Sequence, residues 1–425
     1  MLIAGVGGLL LLFLGFPLWL VFLAVSVAAL YVSPSAISPE MVSSRLFSGL
    51  NVNALLAVPG FIFAAEVMTR SGMSKRLVGW VASLVGRVPG GVAVTTIAAC
   101  EMFAAVSGSS MATVAAIGKA LYPGLRQNGY SETFSLGLVT SMGAIALLIP
   151  PSIVMIVYGA IAHVSVEKLF LAGIVPAIMT GLLVAIYVVG YALRNNVTSG
   201  NEPLRVTAIL KATKDASWTL FAPVIIFGGI YGGFFTPTEA SMVLSMYSVV
   251  VAILIYKSID LRGLWEVILD SAFLTGKILI IVAAASALSL VLVLEDIPNR
   301  LADVALSLDI GSRAILLVIN VVLFIAGIVV EPIPAMMILV PLFLPIVKAI
   351  GVNAIHFGIV VMVNLAIAMF TPPFGLNLFM SAGIFNVPVA KVMRGCVPFM
   401  AVYAVALMLI SYIPAISLWL PSLWK

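Results

Sequence analysis

The sequence predicts an all-α polytopic membrane fold, an inverted repeat carrying two re-entrant hairpins and two broken helices. Three observations predict it. The 425 residues are 63% hydrophobic and only 9% charged, whereas soluble domains run near a quarter charged. Two polar knots interrupt apolar runs, at Ala105-Val-Ser-Gly-Ser-Ser-Met-Ala-Thr113 and at Gly327-Ile-Val-Val-Glu-Pro-Ile-Pro334. A proline pair follows each knot, Pro150-Pro151 and Pro372-Pro373, and the pairs lie 372 − 150 = 222 residues apart.

Apolar runs long enough to span roughly 30 Å of hydrocarbon recur along the chain. The short alternating strands of a transmembrane barrel do not occur. Cys100 and Cys396 are the only cysteines, and His163 and His356 the only histidines. That is too few for a disulfide framework, a zinc site or a haem, and no cofactor is expected. The net charge of +5 reads as the positive-inside bias of a membrane protein rather than a nucleic-acid patch.

Taken in order, the first repeat is expected at 1–193. The N-terminus has no basic n-region or cleavage-like site, so 2–32 is read as a retained first span, ending at Pro34 and Pro39. An amphipathic stretch at 40–50 reads as an interfacial arm. A second span covers 53–68, with Lys75, Arg76 and Arg87 marking its far side. The first hairpin occupies 91–121 and turns at 107–110. Its arms are short for a crossing, and both mouths are basic, with Arg87 before and Lys119 and Arg126 after. Residues 134–162 form a long span broken at Pro150-Pro151, and 169–193 crosses back.

A polar linker follows at 194–217, and the second repeat at 218–425. Spans at 218–235 and 242–256 are joined at Thr236-Pro-Thr-Glu-Ala240. A second amphipathic arm at 257–270 leads into a span at 271–294. An acidic interfacial stretch covers 295–313. The second hairpin runs over 314–347 with its tip at 329–334. A second broken span, 356–385, breaks at Pro372-Pro373, and 395–420 completes the chain.

Charge tests this layout. With both mouths of the first hairpin on the cytoplasmic side, that side holds fourteen lysines and arginines and the other side six, with Lys277 left inside a span. That imbalance fits the positive-inside rule and makes the second hairpin enter from the periplasm. The repeat is legible residue by residue. At the offset of 222, Pro123 meets Pro345, Gly129 meets Gly351, Ala144-Ile-Ala146 meets Ala366-Ile-Ala368, Gly173 meets Gly395 and Pro176 meets Pro398. Opposed copies of this kind are the design of secondary transporters, with the site at the repeat interface.

Backbone groups at a hairpin tip lack helical partners, which membrane depth tolerates only inside protein or around a cavity. Ser107, Gly108, Ser109 and Ser110 offer hydroxyls and carbonyls there. Proline has no N–H and blocks the preceding turn, so Pro150-Pro151 frees the carbonyls of residues 146 and 147. Such hard, uncharged oxygens suit Na+. The candidate Na+ set is Ser107, Gly108, Ser109, Ser110 and Pro150 in the first repeat, and Gly327, Val330, Glu331, Thr371 and Pro372 in the second. Helix N-termini after each break point positive ends at an anion, which makes Ser152, Asn364, Asn377, Pro151 and Pro373 the substrate candidates. Glu331 reads either as a functional acid, since an ionisable group at this depth is costly, or as a cap on the returning arm. Glu101 reads as a structural pair or a coupling group. The Ser-Gly-Ser-Ser run also suits close helix packing through small residues.

Ala105-Val-Ser-Gly-Ser-Ser, Ile149-Pro-Pro-Ser152, Phe235-Thr-Pro-Thr-Glu-Ala240, Glu331-Pro-Ile-Pro-Ala335 and Thr371-Pro-Pro-Phe-Gly375, in this order, resemble the large membrane subunit of a TRAP (tripartite ATP-independent periplasmic) transporter. The resemblance covers essentially the whole chain. It implies an elevator-type carrier in a bacterial inner membrane that takes up organic acids, C4-dicarboxylates or sialic acids, driven by Na+. It also implies two partners, a small membrane subunit and a soluble periplasmic substrate-binding protein. The small subunit is expected to be separate, because the N-terminus begins directly with the large subunit's first span. The scaffold of such an elevator is expected at 2–32, 169–193, 242–256 and 395–420, tethered through the two arms.

Two other functions fit less of the sequence. A stand-alone inverted-repeat carrier would need no binding protein. An intramembrane serine hydrolase would pair Ser107 or Ser109 with His163, but the serines sit in Val-Ser-Gly-Ser and His163 is expected at the membrane surface, out of reach. ATP-driven transport lacks its Gly-x-x-x-x-Gly-Lys-Ser/Thr loop.

Overall fold

The computed structural model describes residues 2–32, 38–84, 90–197, 206–308 and 310–424. Arg87, Pro34 and Arg205 lie outside the described residues. Among the described residues the chain is helical with no strand, and six helices are long and apolar enough to cross a membrane.

The expected span at 2–32 is instead two helices. α1 (Leu2–Phe13) and α2 (Leu18–Val32) fold back on each other, bringing Gly8 against Val21 and Val25. Gly15, at φ +82°, supplies the left-handed backbone of the turn, and Pro17 opens the next helix without losing an amide bond. α3 (Pro39–Ser48) is the first arm, and α4 (Ala57–Arg70) the second span. α5 (Met73–Leu84) occupies a stretch read only as a charged flank.

α6 (Gly91–Ser107) and α7 (Ser110–Gln127) form the first hairpin, and α8 (Glu132–Gly143) and α9 (Ile153–Ala162) the halves of the first broken helix. α10 (Val166–Arg194) returns. The linker is shorter than expected: α11 (Val206–Tyr231) already contains Lys211 and Lys214, while 198–205 lies outside the described residues. α12 (Pro237–Val250) starts at a capping box in which the Thr236 hydroxyl accepts from the Glu239 amide and the Glu239 carboxylate accepts from the Thr236 amide.

The second arm is not separate. α13 (Leu261–Leu294) runs unbroken for 34 residues, from the Asp260 cap through the span, because no proline interrupts it. Its first turns are tied to α4 by Arg70, which pairs with Glu266 at 3.1 Å and with Asp270. α14 (Ile297–Ser307) follows. α15 (Gly311–Val329) and α16 (Pro332–Ala349) form the second hairpin, and α17 (Ala354–Ala368) and α18 (Leu376–Phe385) the second broken helix. The last expected span divides into α19 (Val389–Tyr412) and α20 (Ala415–Leu423) at Pro414.

The 222-residue offset recurs in the elements. α7 and α16 start at 110 and 332 and end at 127 and 349, and α8 and α17 start at 132 and 354. The two broken helices run antiparallel. Lys391, just past α18, pairs with Glu132 at the start of α8 at 2.5 Å, and Tyr158 near the end of α9 donates to the Ala354 carbonyl at the start of α17 at 2.6 Å.

The helices fall into two groups on one continuous core. α2, α4, α5, α11, α12 and α13 pack on one another, the hairpins and broken helices pack with α10 and α19, and the groups meet where α5 packs on α6 and α13 on α16. The stretches 169–193 and 395–420, expected in the scaffold, pack here against the broken helices. The reason is backbone contact at glycine. A Cβ on Gly395 would lie 2.1 Å from the Thr133 carbonyl oxygen, and one on Gly173 would lie 2.3 Å from that of Leu148. Both partners belong to the first broken helix, so α19 and α10 are fitted to it without side chains between. Gly395→Ala should therefore destabilise the fold by about 1–3 kcal/mol through overpacking, read as a lower melting temperature in detergent. An unchanged melting temperature would show that α8 and α19 are not held in this register.

Candidate functional site

The first tip is built by its own short polar side chains. α6 ends at Ser107, Gly108 turns at φ +56°, and the Ser109 hydroxyl caps α7 by accepting from the Ala112 amide at 3.4 Å. The Ser107 hydroxyl accepts from the Ser109 amide at 3.4 Å and lies 3.3 Å from the Thr113 hydroxyl, which itself donates to the Ser109 carbonyl at 2.8 Å. Thr113 was quoted in the sequence knot but not picked out. One helical turn beyond the cap, it returns its hydroxyl to the tip.

The tip meets the first break directly. An added Cβ at Gly108 would sit 2.3 Å from the Pro151 carbonyl oxygen. The second tip likewise meets the second break, since a Cβ on Gly327 would lie 2.7 Å from the Ala368 side chain. Of the expected neighbourhoods, 107–110 lies against Pro151; residues 330–332 share a cavity with Ala368, Phe374 and Leu376, on either side of Pro372-Pro373. Pro150-Pro151 and Pro372-Pro373 are both cis.

The two repeats join at Asn377. Its buried amide lies against the Ser110 hydroxyl, with Oδ1 at 3.0 Å and Nδ2 at 2.9 Å, and Nδ2 donates to the Thr140 carbonyl at 3.1 Å. Thr140 in turn shares a 2.7 Å hydroxyl contact with Ser381. Ser152 is fully buried beyond the first break, its hydroxyl without a partner among the described residues. Such a group calls for an oxygen or cation to complete it.

Asn364 goes elsewhere. Its amide donates to Asn320 Oδ1 at 2.8 Å, and Asn320 donates to the Ser411 hydroxyl at 3.1 Å, so it ties α17 to α15 and α19. Thr371 gives its hydroxyl to the Ile367 carbonyl at 2.7 Å, closing the last turn before the break. Glu101 packs its carboxylate against Gly181 of α10, with Oε1 buried and unpaired among the described residues. His163 caps the end of α9 and lines a different cavity with Arg45. Ser107 and Ser109 bond within their own tip.

Two cavities occupy the meeting place. One of about 60 Å³ is lined by Gly327, Val330, Glu331 and Met369, between the second tip and the second break. At about 30 Å³ per water, it has room for one ion with a little water. The other, of about 160 Å³, is lined by Gly108, Ser109 and Ser110 from the first tip, Glu331 to Pro334 from the second, and Met369 and Leu376 from the second break. Leu147 and Ile153 line it from the two sides of the first break, and α13 closes it with Lys277. Lys277 Nζ stands 3.9 Å from Glu331 Oε1. Glu331 makes no side-chain cap on α16, so its carboxylate faces Lys277 rather than the helix end. Sequence reading missed this pair because its members are far apart in the chain. The available signal was a single lysine stranded in an apolar span.

The family model of the tripartite ATP-independent periplasmic transporter, DctM component, matches residues 6–416. The chain is 40% identical over 390 residues to a C4-dicarboxylate TRAP transporter large permease protein of Pseudomonas aeruginosa, covering 91% of each chain. It is 37% identical over 415 residues to an ectoine/5-hydroxyectoine TRAP transporter large permease protein of Ruegeria pomeroyi, covering 97% of this chain and 96% of that one. In fold it is similar to the crystal structure of the Alcanivorax borkumensis YdaH transporter, with a TM-score of 0.67 at 13% identity over 98% of both chains.

Proposed function

Since the chain belongs to the tripartite ATP-independent periplasmic transporter family as its DctM component, the large permease, we propose that it is the Na+-coupled carrier subunit importing a small organic acid, of the C4-dicarboxylate or sialic acid class, across a bacterial inner membrane. A periplasmic binding protein delivers the acid, and a small membrane subunit packs against the outer helices. The observation that carries the reading is the meeting of both tips and both breaks around one small cavity.

Each repeat supplies one tip and one break, so more than one Na+ accompanies each substrate. Ser107, Gly108, Ser109, Ser110 and Pro150 hold the first ion. Gly327, Val330, Glu331, Thr371 and Pro372 surround the second. Substrate lies between Ser152, Asn377 and the prolines Pro151 and Pro373, with Asn364 supporting from behind. The hairpins re-enter from opposite faces, and the body they form with α10 and α19 moves against α4, α11, α12 and α13 as an elevator.

Reconstitution tests this. The chain, its small subunit and its binding protein should take up the binding protein's ligand only under an inward Na+ gradient. Equal uptake with K+ in place of Na+ would overturn the coupling, and uptake by this chain without a binding protein would favour a stand-alone carrier. Ser107→Ala or Ser109→Ala removes one oxygen ligand of about 1 kcal/mol, and should raise the Na+ concentration for half-maximal uptake about fivefold. An unchanged Na+ requirement in both variants counts against the first tip as an ion site.

A further inference from the structure

We infer that Lys277 is the cationic group that recognises the acid group of the substrate, and that Glu331 is its resting partner. The inference rests on the reading of the chain as an organic-acid carrier. Lys277 lies inside α13, in an otherwise apolar stretch of the span. A lysine at such a depth is costly unless it is used. Its partner does not satisfy it, because 3.9 Å is an ion-pair distance and too long for a hydrogen bond. The ammonium therefore keeps its three donors available. Among the described residues it is the one cation lining the cavity between the tips, which Ser109 and Ser110 line from the first hairpin.

The position of the pair gives the second argument. Lys277 and Glu331 also line an outer cavity of about 640 Å³, walled by Phe16, Pro17 and Trp19 at the α1–α2 turn. The pair thus stands where the outer cavity adjoins the inner one, and an acid arriving through it meets Lys277 beside the second tip before it reaches the first. Without Lys277, the Glu331 carboxylate would repel an anion from this doorway. With it, the acid takes the ammonium in exchange for Glu331, and the ion pair between α13 and the second hairpin is released as substrate binds. Recognition and release are then one event, because the pair that the acid exchanges is a tie between α13 and the second hairpin.

The test uses the full reconstituted system. Wild-type uptake of succinate, N-acetylneuraminate, isethionate and ectoine is measured first. Transport of none of the three acids overturns the organic-acid reading itself. Where an acid is carried, Lys277→Gln should raise its KM about tenfold or more, the worth of a charge-assisted hydrogen bond, and Lys277→Arg should keep it within a few-fold. The double variant Lys277→Gln with Glu331→Gln decides the role. Because Glu331 also lies at the second ion site, the reference is Glu331→Gln alone: if Lys277 only neutralises Glu331, the double variant has the KM of that single variant and the inference falls. If Lys277 binds the acid, KM stays raised above it. An unchanged KM in Lys277→Gln alone overturns the inference and leaves the carrier reading intact.

Discussion

Gly108→Ala should abolish uptake while the protein remains folded. Two separate demands meet at this residue. Its backbone sits at φ +56°, where an L side chain costs on the order of 1–2 kcal/mol. A Cβ there would also lie 2.3 Å from the Pro151 carbonyl oxygen, and neither backbone can yield without parting the tip from the break. The damage falls on a single turn, so the helices should still assemble, but the oxygens proposed to hold the first ion would no longer converge. Gly351→Ala is the control. That glycine has φ +77° with nothing within 4 Å of an added Cβ, so it carries the backbone strain without the clash. Uptake and melting temperature of the two variants separate the effects. Half or more of the wild-type rate in Gly108→Ala would show that transport does not depend on the contact between tip and break.

A covalent bridge between the two packed groups should stop transport completely. Val52, in the turn before α4, and Ala160, in α9, are both partly exposed and line one cavity from the two groups. Val52→Cys with Ala160→Cys, bridged by a bifunctional thiol reagent, joins outer helices to the first broken helix. The native Cys100 and Cys396 are fully buried and stay unreacted. If the tips, breaks, α10 and α19 travel as one body, the bridge traps it in one orientation. Na+ binding remains measurable, while uptake falls to background and returns when a cleavable bridge is cut. Full uptake in bridged protein would rule out the elevator and leave a local opening of each hairpin.

The parts that sequence made legible are those where chemistry interrupts hydrophobicity. A Ser-Gly-Ser-Ser run or a proline pair inside an apolar stretch cannot continue a helix, so both tips and both breaks were readable, and the constant offset paired them. What escaped depends on packing. The Lys75 and Arg76 charges made α5 look like a flank, although the Arg76 guanidinium lies over the Tyr256 ring at 3.8 Å and its helix packs on α11. Hydropathy cannot tell that Gly137 and Gly395 press backbone to backbone, so the seating of α19 on the first broken helix was not legible. The amphipathic start of α13 looked like an arm because Arg70, which neutralises Glu266 and Asp270, lies in a different element. Asn364 looked equivalent to Asn377, yet only Asn377 reaches the other repeat.

The length of α13 has a consequence for the lipid. At 1.5 Å per residue, its 34 residues extend about 51 Å, against roughly 30 Å of hydrocarbon. The Arg70 cluster anchors its polar start at one boundary, so the part that must fit the bilayer begins after Asp270 and still measures about 36 Å. That surplus is met by tilting the helix or by thickening the bilayer around it, at a fraction of a kcal/mol per Å. Membrane thickness therefore acts, together with the packing of α13 on its neighbours, on the slant of the wall that carries Lys277, and transport is expected to vary with the acyl-chain length of the host membrane.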